Sequence, residues 1–201
     1  MKFARTALPA LAVAGALLAA GCGSTSSAAD SRSSAPGNSV DRAFVAHMIP
    51  HHRSAVQMAK IAQRRGRSAF VKQLAAAIVR TQTNEIAAMR AEDRRLQRAG
   101  VKKGSLGVPE HMMGMNGDVA SLKTAKPFDR AFLRMMIPHH QGAIVMANAE
   151  LTKGKDPVLK RLARNIITAQ QREIREMRKH LGDARTADMT EDSMHGGGHS
   201  G

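Results

Sequence analysis

The sequence predicts an all-α protein: a four-helix bundle built from one helical hairpin written twice. The first observation is compositional. Phe, Tyr and Trp together number five in 201 residues, all of them Phe. That argues against sandwiches and barrels, whose strands lean on aromatic and β-branched residues, and against base-stacking RNA-recognition sheets. Plentiful Ala, Arg, Met, Leu and Gln favour helix instead. The second is a repeat. Shifted by 88 positions, Asp41-Arg42-Ala43-Phe44 becomes Asp129-Arg130-Ala131-Phe132, and Met48-Ile49-Pro50-His51-His52 becomes Met136-Ile137-Pro138-His139-His140. Leu74, Ile78, Gln82, Glu85, Ile86 and Met89 keep the register at Leu162, Ile166, Gln170, Glu173, Ile174 and Met177. The third is periodicity. Phe44, Met48, His51, Ala55, Met58 and Ala62 alternate spacings of four and three, the stripe of a helix that faces a partner.

In chain order, Lys2 and Arg5 precede an apolar run, Ala7 to Ala20, too short to span a membrane. The run closes on Leu18-Ala19-Ala20-Gly21-Cys22, which looks like a lipobox with Leu one place further from the cysteine than in the commonest form. Residues 1–21 are therefore expected to be a lipoprotein signal peptide. Cys22 is the expected lipidation site, anchoring the protein to the bacterial cell membrane on its extracytoplasmic side. It is the only cysteine, which excludes a disulfide framework and a Cys-rich zinc site. Residues 22–40, rich in Ser, Ala and Gly, read as a flexible tether.

The first repeat unit covers 41–98. Its first helix is expected to open at Asp41 as N-cap and close at Gly66. Its second helix runs from about Ser68 to Gln97 on the stripe Val71, Ala75, Ile78, Gln82, Glu85 and Met89. The second unit, 129–181, opens at Asp129, turns at Gly154 and carries Leu159, Ala163, Ile166, Gln170, Glu173 and Met177. Residues 99–128 form the crossover, and two hairpins over 41–181 close most simply into an antiparallel bundle. Residues 182–201, ending in Met-His-Gly-Gly-Gly-His with a serine and glycine beyond, read as a disordered tail. Pro50 and Pro138 stand directly before each His pair, either as tolerated kinks or as devices that aim the histidines.

The formal charge is +15. Two of the 31 basic residues and none of the acids precede Cys22, leaving +13 beyond it; the positive charge lies on 41–181, since residues 182–201 are net negative. Export argues against nucleic acid as the partner and for an anionic envelope surface or simple solvation. Arg90, Arg94 and Arg98 form one such face.

The helix stripes are not wholly apolar. The hairpin register is expected to set His51 against Gln82, within a turn of Glu85, with Met48, Met58 and Met89 above and below. The second copy offers His139, Gln170 and Glu173 with Met136, Met146 and Met177. A buried carboxylate must be paired, so two readings stand: a His–Glu pair that sets register, or a metal site. The same chemistry recurs at His111, Met112, Met113 and Met115 in the crossover and at Met189, Met194, His195 and His199 in the tail. His47, four residues before His51, is a further candidate, with Met135 in its place in the second copy. Thioether and imidazole without thiolate suit Cu(I) and Ag(I), and imidazole with carboxylate suits Cu(II) or, less selectively, Zn(II) or Ni(II). Calcium and magnesium lack their oxygen ligands here. No His has Glu three residues before it, which disfavours a di-iron carboxylate site. His180 also fits a helix C-terminal cap.

The doubled Asp-Arg-Ala-Phe…Met-Ile-Pro-His-His…Met-Ala motif closely resembles the bacterial domain-of-unknown-function family DUF305 over about 41–181. The resemblance implies a ferritin-like helical bundle and kinship with exported, Met- and His-rich proteins that bind copper or silver. It carries a ligand role onto Met48, His51, His52 and Met58, and onto Met136, His139, His140 and Met146. Arg53, where the second copy has Gln141, and Arg134, where the first has Ala46, depart from the pattern and put a cation near each His pair. The expectation is a lipid-anchored protein that sequesters or hands on copper, Cu(I) or Cu(II), and is not an enzyme. A non-metal envelope interaction module with a structural His/Glu core and a metal-dependent redox enzyme are the rivals.

Overall fold

The computed structural model describes residues 37–195, with side chains through residue 182. Four helices, α1 (Ser39–Arg65), α2 (Ala69–Arg98), α3 (Phe128–Lys153) and α4 (Pro157–His195), form the bundle, and the described residues contain no strand. Two single turns of 3-10 helix, Glu110–Met112 and Val119–Lys123, interrupt the crossover. The hairpins are α1–α2 and α3–α4, and they meet chiefly through α1 against α3.

The first helix of each unit starts differently from the sequence expectation. Asn38 caps α1, its side-chain oxygen accepting from the backbone N–H of Val40 at 2.9 Å and of Asp41 at 3.1 Å. Asp41 sits at the third helical position, accepts the Asn38 backbone N–H and closes a capping box. The same carboxylate accepts from the backbone N–H of Lys155 at 3.0 Å and of Asp156 at 2.9 Å. Asp129 is not an N-cap either: Pro127 holds that position without a side-chain bond. Asp129 accepts from the backbone N–H of Arg67 at 2.9 Å and of Ser68 at 2.8 Å. Each unit's first-helix aspartate thus satisfies the turn of the other unit, which requires α1 and α3 to run antiparallel. Gly66 and Gly154 end their helices at φ −57° and −68°, not in the left-handed region. They are needed for room: a Cβ on Gly66 would lie 2.6 Å from the Ala62 carbonyl oxygen, and one on Gly154 2.2 Å from a Glu150 oxygen.

The apolar stripes close into two cores, one towards each end of the bundle. One holds Met58, Val71, Ile78, Phe132, Met136 and Met177; the other holds Phe44, Met48, Met89, Met146, Leu159 and Ile166. These sets exchange under the 88-residue shift, so each core draws on both units. Full burial of such a side chain contributes about 1.5–3 kcal/mol. The helices run unbroken through Pro50 and Pro138.

Helix α4 continues to His195 through the segment expected as a disordered tail from 182. Between 183 and 195 there is neither Gly nor Pro, Ala and Met each occur twice, and Arg and Glu occur once, so propensity permits the extension. The signal segment, Cys22, the tether as far as residue 36, and His199 lie outside the described residues. No described helix is long and apolar enough to cross a membrane.

Candidate metal centre

A polar layer lies within the bundle. His51 and His52 are 1% and 0% exposed, His139 and His140 3% and 0%. Adjacent residues on one helix point about 100° apart, and α1 and α3 each have two neighbours, so both histidines of each pair can be buried. His52 turns to α2, where its Nε2 lies 2.8 Å from Glu85 Oε2. His140 turns to α4, with Nε2 2.7 Å from Glu173 Oε2. His51 and His139 turn to each other: their ring centroids are 3.7 Å apart, and His51 Nε2 donates to the His139 carbonyl oxygen at 3.0 Å. The expected His51–Glu85 and His139–Glu173 neighbours are therefore corrected by one residue. His52 and His140 hold the carboxylates, and the two half-sites join through His51 and His139.

The protonation states follow from this geometry. Burial, and then the facing imidazoles of His52 and His140, lower the pKa of His51 to about 3. Burial and the His51 ring lower that of His139 well below the ordinary imidazole value. Both rings are neutral at physiological pH, the form in which imidazole binds metal. Nε2 of His52 and of His140 lies against a carboxylate, and Nε2–H of the neutral His51 ring points at a carbonyl, so Nδ1 of all three is turned away from those partners. Those Nδ1 atoms, and both ring nitrogens of His139, form no hydrogen bond of good geometry, although the Met113 backbone approaches the His51 ring and the His51 backbone the His139 ring. A histidine oriented through one nitrogen by a carboxylate or carbonyl, with the other nitrogen free, is the usual arrangement around a metal. Glu85 and Glu173 thereby act as orienting groups. Gln82 and Gln170, each 3% exposed, add side-chain oxygens without partners.

The other candidates divide. Met48, Met89, Met136 and Met177 lie in the two apolar cores, where a methionine fills space. Met58 and Met146 belong to those cores and also line cavities beside the His layer. Met112 and Met115 are 46% and 44% exposed, and Met113 is 7% exposed. His111 is exposed and His47 half-buried. Arg53 is exposed, as is Arg134. His180 stacks on Phe70 with ring centroids 4.6 Å apart. His195 ends α4. Among the described residues no three His, Cys, Asp or Glu side chains come together as a metal-ligating group.

A buried carboxyl was missed by sequence reasoning. Glu150, 0% exposed, stands where the first unit has Ala62, and its carboxyl faces that of Asp41. Burial, with Asp41 and Asp156 nearby and Lys160 opposing, raises its pKa to about 9. Only the mismatch with Ala62 under the 88-residue shift marked it in the sequence.

The family described as Domain of unknown function (DUF305) matches residues 41–181, with a further match over 19–93. The fold is similar to that of CopM, solved in Cu(I)-bound, Cu(II)-bound and Ag-bound forms. The Cu(I)-bound structure is 34% identical, covers 71% of this chain and 96% of its own, and superposes with a TM-score of 0.60. A putative secreted DUF305 protein from Streptomyces coelicolor is 32% identical, with 72% of this chain and 93% of its own covered and a TM-score of 0.63. The uncharacterized protein L153 of Acanthamoeba polyphaga mimivirus is 46% identical over 55 residues, 27% of this chain and 36% of that relative's length.

Proposed function

The chain belongs to the DUF305 family, and on that premise we propose that it is an exported copper-handling protein. It takes up Cu(I), or Ag(I) in its place, and sequesters it or hands it on without catalytic turnover. The observation that carries this reading is the set of carboxylate- or carbonyl-oriented imidazoles whose Nδ1 atoms have no partner in the interior. A layer built only for stability gains more from apolar side chains of similar volume. The copper- and silver-bound forms of CopM support the choice of ion. Lipidation at Cys22 would hold the domain at the outer face of the cell membrane, a placement consistent with the secreted relative.

Titration against a chromogenic Cu(I) chelator tests the reading. Micromolar protein competes for at least one Cu(I), and the double variant His51→Ala, His139→Ala loses part of that capacity while keeping its helical circular dichroism. A wild-type protein that leaves the chelator's copper untouched ends the proposal. A second reading, an envelope interaction module, draws on the His52–Glu85 and His140–Glu173 pairs as structural links between helices. It predicts loss of helicity and no copper effect in the double variant His52→Ala, His140→Ala, which breaks those pairs.

A further inference from the structure

The crossover runs between two cavities, and the cavities are related by the repeat. The larger, about 620 Å³, is lined by Met135 and Pro138 of α3 and Met58 of α1. The smaller, about 270 Å³, is lined by His47 and Pro50 of α1 and Met146 of α3. Under the 88-residue shift Met135 exchanges with His47, Pro138 with Pro50, and Met58 with Met146. Met115 and Asn116 of the crossover line both cavities. The crossover adds His111 and Met112 to the larger and Met113 to the smaller.

Resting on the copper reading above, we propose that these cavities are twin soft-cation sites on either side of the crossover, each built from thioethers and imidazole and sharing Met115. Three observations converge on this. Met112 and Met115 are two of only three large apolar side chains exposed among the described residues; they keep thioethers in reach of solvent. His139, 3% exposed and with both ring nitrogens unpartnered, lines the larger cavity, so that site opens directly onto the buried imidazole layer. The crossover is also held in place. Gly114, at φ +72°, would carry a Cβ 2.5 Å from the Pro138 carbonyl oxygen, and a Cβ on Gly142 would lie 2.1 Å from that of Met113. The first unit has Ser54 where the second has Gly142, so only α3 admits this close approach.

The donor types select the ligand class. Met58, Met112, Met115 and Met135 with His111 or His139 on one side, and Met113, Met115 and Met146 with His47 on the other, are sulfur-rich sets for a monovalent soft ion. Arg134 also lines the larger cavity. Its charge disfavours a hard divalent cation more than a monovalent one bound through polarizable sulfur.

The test is a titration of the full chain, labelled with 13C at the methionine methyls, with Ag(I) as a redox-inert probe. The methyls of Met112, Met115 and Met135 shift with the first site, and those of Met113 and Met146 with the second. Met48, Met89, Met136 and Met177 stay in place. Met115→Leu, at an exposed position, weakens binding at both cavities. Silver that binds without moving the crossover methyls overturns the twin sites and leaves the copper reading standing. No silver binding at all overturns the copper reading itself.

Discussion

The two hairpin units share one polar layer but bury their carboxylates differently. Glu85 keeps 18% of its side chain exposed beside His52, whereas Glu173 keeps 8% beside His140. Asp41 is fully buried at its turn, while Asp129 is half-buried at the equivalent one. Asp41 also has Glu150 beside it, where the first unit offers only the methyl of Ala62. Duplication has therefore preserved which groups meet while solvent access has diverged. Solvent access sets the magnitude of a polar contact, because water replaces a lost partner at the rim and not in the interior.

The largest effect separates the two aspartates. Asp41→Ala leaves the N–H groups of Asn38, Lys155 and Asp156 without their acceptor. At about 1–3 kcal/mol for the buried Asp156 donor and less for the two part-buried ones, it is expected to cost about 3 kcal/mol. Asp129→Ala frees two donors, one of them exposed, and is expected to cost about 1–2 kcal/mol. Urea unfolding of the two variants measures the difference, and equal losses would break the comparison.

Next come the carboxylates that orient histidine. Glu173→Ala is expected to cost about 1–3 kcal/mol, and Glu85→Ala roughly half as much, since water reaches the first site more easily. The same unfolding curves decide it, and a costlier Glu85→Ala would reverse the assigned depths.

The last effect, read as a slope with pH, belongs to Glu150. Its pKa is about 9 in the folded chain against an ordinary 4.5, so the unfolded chain releases this proton first as pH rises. Its contribution to stability is greatest below about pH 4.5 and declines up to about pH 9, by at most about 1.4 kcal/mol per unit. Glu150→Gln removes that decline. Midpoints of urea unfolding at pH 6 and pH 8 should lie closer together in the variant than in the wild type, and an unchanged separation would place the proton elsewhere.

Particular residues show how far the sequence could be read. The helices were legible because the stripe Phe44, Met48, His51, Ala55, Met58 repeats 88 residues later with the same spacing. Burial of His51, Gln82 and their counterparts, and of Glu173, followed from their places on those stripes, with Glu85 only partly buried. Their pairing did not. A stripe describes a helix with one partner, but α1 faces α2 on one side and α3 on another, so His52 rather than His51 meets Glu85. Asp41 looked like a local cap because its distant acceptor role has no local signature. Glu150 was hidden for the same reason: a glutamate near a helix end usually faces water, but here Asp41 of the other unit and Asp156 of the following turn lie close to its buried carboxyl.

Secondary structure, the duplication and the supply of imidazole, thioether and carboxylate were written in the chain, because they depend on spacings of three and four and on residue type alone. Tertiary structure decided which nitrogen points at which oxygen, that the half-sites join at His51 and His139, and that the crossover divides two cavities. Those contacts join residues far apart in the chain, and one residue of helical rotation is enough to exchange one partner for another.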